Sequence, residues 1–210
     1  MRFSTSPGKR AAGIDLNSPQ VNQFIALLKE HHTVIDPTLA IWEETYTDRP
    51  GQIAKLDAYM FDRLPLQVQR NSKAAGQALP ASDAATDQLY RASYANFVRM
   101  VKKLYDNEIT VVAGTDLPVG YSLHRELEIY NQAGIPAPEV LRMATLTAAQ
   151  IMKRDADLGS VAPGKLADLI LVNGDPAANI SDIRKIDTVV KGGAVMYPVE
   201  LYPALGIRAQ

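Results

Sequence analysis

Ile109-Thr110-Val111-Val112-Ala113-Gly114-Thr115-Asp116 is the stretch on which the fold turns. A short, β-branched apolar run of this kind has the length and composition of a buried strand, not of a helix. Gly114 then permits a close backbone approach, and Asp116 falls just past the strand's end. In parallel α/β barrels the carboxyl ends of the strands make the active-site face. A carboxylate placed there can ligate a metal or act as general base toward a metal-bound water. On these residues alone Asp116 could equally cap the turn that follows.

Toward the N-terminus, the next strand signal is Thr33-Val34-Ile35-Asp36-Pro37-Thr38-Leu39, β-branched and stopped by proline. Ser18-Pro19 before it is a helix start, with Val21, Phe24, Ile25 and Leu28 on one face up to His31-His32. Between the strands, Ala84 to Tyr105 reads as a long helix with Leu89, Phe97, Met100, Val101 and Leu104 inward. Ile53, Leu56, Met60 and Leu64 share a helical stripe, while residues 1 to 17, punctuated by Ser, Pro and Gly, read as loop. Helix, strand, helices, strand is the rhythm of a parallel α/β sheet.

Toward the C-terminus, Leu123, Leu127 and Tyr130 mark a helix that stops at Gly134. Pro136-Ala137-Pro138 opens another, and Thr147 to Gln150 has capping-box spacing. After Gly159 the character changes to β. Ala167 to Val172 is an apolar strand, and Lys191-Gly192-Gly193 suits a tight hairpin between Thr188-Val189-Val190 and Ala194-Val195-Met196. The chain thus divides into an α/β part, 1–157, and a β-rich part, 158–210.

Composition narrows the function. In 210 residues, 22 Lys+Arg balance 23 Asp+Glu, for a net charge of -1. That balance argues against nucleic acid and anionic membrane as partners, which need a basic surplus or patch. Lys102-Lys103 and Lys153-Arg154 read as solvated helix surface. With no cysteine, thiolate nucleophiles and Cys-ligated zinc are excluded. No apolar run approaches the ~20 residues of a membrane span. The first residues lack the apolar stretch of a secretory signal. Cytoplasm is the default expectation, with the periplasm or export open for a longer parent.

The histidines are His31, His32 and His124. The first two precede a strand, the opposite end of a barrel from Asp116, and read as helix C-terminal residues favoured by the dipole. His124 follows Ser122 in a first helical turn near the Asp116 loop, so it could reach a site or face solvent. No His-x-His cluster, no phosphate loop and no nucleophile elbow occurs. Asp15, Asp36 and Asp48 are scattered acids read as structural.

Several longer runs bear a family resemblance. They are Val112-Ala113-Gly114-Thr115-Asp116, Ser122-Leu123-His124-Arg125-Glu126-Leu127-Glu128, and Glu139-Val140-Leu141-Arg142-Met143-Ala144-Thr145-Leu146-Thr147. Leu158-Gly159-Ser160-Val161-Ala162-Pro163-Gly164-Lys165-Leu166-Ala167-Asp168 follows, then the Val189-Val190-Lys191-Gly192-Gly193 hairpin. In this order and spacing they resemble the amidohydrolase superfamily, particularly its imidazolonepropionase-like branch. Roughly residues 108 to 197 match, and Val34 to Leu39 resembles the seventh strand.

The resemblance implies the C-terminal part of a (β/α)8 TIM barrel, joined to strands of a small β-sandwich composite domain. It implies hydrolysis of carbon–nitrogen bonds other than ordinary peptide bonds in a small-molecule substrate, by water activated on a divalent metal, often zinc. Asp116 matches the last-strand aspartate that contacts metal and shuttles the proton, and His124 is placed at the substrate mouth with the loop from Leu117 to Tyr121. The remaining metal ligands of the family belong to strands that precede this segment. The expectation is therefore a fragment, inactive alone. It would be completed by the missing N-terminal part of the same enzyme or by a second copy, or else act as a non-catalytic assembly module.

Overall fold

Ile35 and Val111 carry the pairing that organises the chain. In the computed structural model, which describes residues 2–117 and 120–208, these two residues form a parallel bridge. The Ile35 amide donates to Thr110 O (2.9 Å) and the Val112 amide to Ile35 O (3.0 Å). The two expected strands are thus parallel neighbours, though regular pairing is confined to that bridge. Parallel alignment puts His31-His32 at one end and Asp116 at the other.

Helices pack around this pair. They are α1 (Arg2–Arg10), α2 (Pro19–Glu30), α3 (Leu39–Thr47), α4 (Leu66–Ala74), α5 (Ala84–Asp106), α6 (Ser122–Gln132), α7 (Ala137–Arg142) and α8 (Ala148–Ile151). Ser18 caps α2 by accepting from the Val21 amide, and Asp83 caps α5 by accepting from Thr86, each leaving fewer orphan donors at a helix start. Ile25, Leu28, Val101, Leu104, Val111, Leu127, Ile129 and Val140 form one buried cluster beneath the strands. α7 runs into α8 through a π-helical turn, Met143–Thr147, so Thr147 lies within a continuous helix and caps nothing.

Three further expectations change. Residues 2–13 are helical, because α5 holds them: the Ser93 hydroxyl accepts from the Ala12 amide (2.8 Å) and the Asn96 amide group donates to Ala11 O and Ile14 O. The stripe of Ile53, Leu56, Met60 and Leu64 forms turns with a short 3-10 segment, Phe61–Arg63. Leu89 is 42% exposed, on the solvent face of α5.

The C-terminal part is a three-stranded antiparallel sheet, β1 (Leu169–Val172), β2 (Ile186–Lys191) and β3 (Ala194–Met196), in that order. Gly192 and Gly193 have φ of 56° and 83°, as a primed hairpin turn demands. Asp168 fixes this turn by accepting from the Gly192 amide (3.1 Å) and pairing with Lys191. The Lys165 Nζ donates to Leu158 O and to the Ser160 hydroxyl, so its side chain ties the Pro163-Gly164-Lys165 segment back to residues 158–160. The chain then closes with a short helix, α9 (Pro198–Leu201), and a 3-10 turn, Tyr202–Leu205. The sheet keeps Ile170, Leu171 and Val195 about half exposed.

Candidate active site

Asp116 follows its strand in the left-handed region, φ 51°, a conformation that Asp tolerates better than most residues. Its side chain is exposed and lies at a cleft of about 280 Å³ shared with Ile41, Trp42 and Leu79. The backbone leading to it is fixed from the neighbouring strand. The Asp36 carboxylate accepts from the Gly114 amide at 3.0 Å. A Cβ on residue 114 would sit 2.2 Å from Asp36 Oδ2, so glycine is required there. The expected mouth loop, Leu117 to Tyr121, lies partly outside the described residues, at Pro118 and Val119. At its far end the Tyr121 phenol donates to Asp57.

His124 is on the first turn of α6, half-buried, and faces charges of its own. Burial first, and the nearby Arg184 second, push its pKa below the usual histidine value, with Glu128 opposing. It is therefore neutral at physiological pH. His31 and His32 are exposed, at the other end of the strands.

The densest chemistry lies elsewhere, between α3 and α6. Arg125 grips Glu43 through two bonds (Nε–Oε2 2.7 Å, Nη2–Oε1 2.8 Å) and reaches Glu128 at 3.2 Å. Arg184, from the C-terminal part, binds Glu128 in the same forked way (2.6 and 3.0 Å). Lys55 joins at Glu43 and Thr47. Burial works against the charge on Arg125, but Glu43 and then Glu128 and Tyr94 together outweigh it and hold the guanidinium above its ordinary range. Burial likewise opposes ionisation of Glu43 and Glu128, yet their arginine partners keep both below the usual carboxylate value. Arg184 Nη1 is buried without a hydrogen-bond partner, and its guanidinium lies 5.0 Å from the Tyr59 ring centroid, a cation–π contact.

Glu126 completes this layer. Fully buried, it accepts from the Leu39 and Ala40 amides at 2.7 and 2.6 Å. It thereby serves the N-terminus of α3, whose own flanking residue Thr38 sits at φ 48° and offers no cap. Burial nevertheless pushes Glu126 up to about 7. Asp48 also rises to about 7, through burial and then the nearby Glu44 and Glu43. The sequence gives weak warning of all this. A charged run on a helix is normally solvated, and Glu43 is 82 residues away from Arg125.

The donors available to a metal are few. Among the described residues, no three His, Cys, Asp or Glu side chains gather closely enough to hold an ion. A zinc site needs about four ligands, or three and a water. Among the described residues, Asp116 is not joined by two further such side chains.

Comparison with known proteins places the chain. Residues 21–196 match the Amidohydrolase family, and the chain belongs to that family. It is 28% identical over 134 residues to an imidazolonepropionase of Thermoanaerobacter pseudethanolicus, covering 60% of this chain and 30% of that protein. A 5-methylthioadenosine/S-adenosylhomocysteine deaminase of the same organism is 25% identical over 141 residues, covering 56% and 32%. The chain thus spans about a third of the length of these curated relatives. Among solved structures, a Xaa-Pro dipeptidase with bound methionine aligns with TM-score 0.59 at 21% identity, over 89% of this chain and 38% of that one. A. niger ochratoxinase aligns with TM-score 0.57 at 16% identity, over 83% and 34%. At such identities these likenesses speak to the fold, which is that of the amidohydrolases.

Proposed function

We propose that this chain is the C-terminal portion of a metal-dependent hydrolase of carbon–nitrogen bonds, such as cyclic amides, in which Asp116 serves the attacking water. The observation that carries the reading is the position of Asp116. It follows the carboxyl end of one of two parallel strands and borders a cleft, inside the span matched by the family. Asp116 accepts a proton from water as oxygen adds to the substrate's carbonyl carbon, and returns it to the departing nitrogen. His124, neutral and near the same loop, belongs to the substrate mouth.

A divalent metal, zinc in this reading, requires ligands from outside the segment, so this chain alone is inactive. Those ligands come from the preceding part of the same enzyme. Residues 1–157 are then the last part of the barrel and 158–210 the C-terminal strands of a composite sandwich. The test is amide hydrolysis by the full open reading frame that carries this sequence. Asp116→Asn is expected to lower kcat by roughly 10²–10⁴, the usual worth of a general base, with KM little changed. An Asp116→Asn enzyme of undiminished kcat contradicts the assignment.

A second reading is favoured by the half-exposed Ile170, Leu171 and Val195, because a bare apolar sheet invites a partner. In it the chain is a non-catalytic module that pairs with a copy of itself. Sedimentation of the purified chain decides: a concentration-dependent dimer supports pairing, and a monomer throughout counts against it.

A further inference from the structure

The cleft beside Asp116 has its own chemistry. Ile41 and Trp42 on α3 and Ala78 and Leu79 from the segment before α5 give it one apolar side, while Ser4, Thr45 and Gln77 give it polar atoms and Asp116 a carboxylate. Its volume, about 280 Å³, is just below the range of whole-ligand pockets, about 300–1,000 Å³, so it suits one compact group. The wall is rigid. The Trp42 ring stacks on Tyr46 (centroids 5.5 Å apart, 20° between planes) and meets Phe97 edge-on at 5.9 Å. Tyr46 in turn stacks on Tyr90 at 5.8 Å. An indole held on two sides cannot collapse into the space it borders.

Charge selects further. Among the described residues lining the cleft none is basic, while Asp116 supplies a carboxylate, so an anionic group gains no partner and meets repulsion. Gly76 lies at the rim of the cleft, where an added Cβ would meet no atom within 4 Å, so a larger side chain can be introduced there.

We propose that this cleft is a substrate subsite that takes a compact, uncharged arm, aromatic or cyclic, of a small carboxamide, its ring against Trp42 and Leu79. The proposal deepens the hydrolase reading and rests on it, for it names the group that adjoins the bond to be cleaved. An acetamide-sized arm leaves the walls unfilled, and a carboxylate-bearing arm is repelled.

Trp42 is the chain's single tryptophan, so its emission reports this site. The purified chain, without metal, is titrated with benzamide, acetamide and benzoate while the indole is excited at its red edge. Benzamide is expected to change the emission saturably, with half-effect at about 10 mM or below, as ligand efficiencies for a fragment of this size suggest. Acetamide and benzoate are expected to give no saturable change. Gly76→Leu should weaken the benzamide response at least ~10-fold, whereas Gly13→Leu, which also adds a side chain into open space but away from the cleft, should leave it intact. Circular dichroism checks that both variants fold. No saturable change with benzamide, an equal change with acetamide or benzoate, or a response in Gly76→Leu equal to that of the parent overturns the proposal. Because the titration needs neither metal nor turnover, its failure leaves the hydrolase reading standing. A full-length protein without amidase activity would sink that reading and leave the titration untouched.

Discussion

The end of the molecule that holds Asp116 and the layer between α3 and α6 differ in almost every physical respect. Asp116 is exposed, sits in a loop, and adjoins a small cleft of mixed lining. Between α3 and α6, Glu43, Arg125, Glu128 and Arg184 are buried or nearly so and forked onto one another. Buried Glu126 is held by two backbone amides, and Glu43, Arg125, Glu126 and Glu128 are shifted in pKa. Displaced titrations are often taken as the mark of a functional site. Here they mark the support. The charged layer locks α6 to α3 and the C-terminal part to α6, and so fixes the ends of the two strands from which Asp36 and Asp116 emerge.

The comparison can be broken by mutation, and the largest effect is expected in the buried layer. Arg125→Ala leaves Glu43 buried without its forked partner and takes one bond from Glu128. Breaking a buried pair from one side costs about 3–5 kcal/mol, which in a chain of this length lowers Tm by roughly 6–20 °C. A loss under about 1 kcal/mol in a chemical denaturation series would show that the network is ornamental.

Asp48→Asn comes next, with the opposite sign. The Asp48 carboxyl rises from 3.8 to about 7 on folding. The folded chain therefore binds the proton more tightly than the unfolded one, and stability falls as pH climbs from about 4 to about 7. Asparagine removes that penalty. Its gain should be absent near pH 3, grow through that window and be complete above pH 7. After allowance for partial solvent screening we expect about 1 kcal/mol, or ~3 °C in Tm. Thermal melts of both proteins across pH check it, and a gain independent of pH would contradict the burial of a raised carboxyl at this position.

The smallest expected change is Asp116→Asn. Exposed, and in a conformation that Asn also tolerates, the residue should alter stability by less than about 0.5 kcal/mol. A clearly destabilised variant would make Asp116 a structural cap and blur the contrast between the two regions.

What the sequence disclosed follows the range of the interactions. Ile109 to Asp116 and Thr33 to Ile35 were readable because composition and a terminating Pro or Gly act within a few residues. So were the caps Ser18 and Asp83 and the Gly192-Gly193 hairpin. α1 was not readable, since Ser93 and Asn96, over 80 residues away, satisfy the backbone just beyond its end. The start of α3 was equally hidden, because its first amides are served by Glu126. Ile53, Leu56, Met60 and Leu64 have helical spacing, yet Pro50-Gly51 and Pro65 bracket them and turns prevail. Of the candidate site, the position of Asp116 past its strand and the close approach at Gly114 were legible. The buried charges of α6 were not, because partners distant in the chain decide whether a Glu or Arg faces water.

In the proposed reading this chain holds the aspartate of a metal-dependent site without the rest of that site. That reading is tested most directly by elemental analysis of the purified 210-residue chain after incubation with zinc and desalting. No stoichiometric metal is expected, because a zinc site needs about four ligands and the described residues gather no three. One or more tightly held ions per chain, lost in Asp116→Ala, would contradict it.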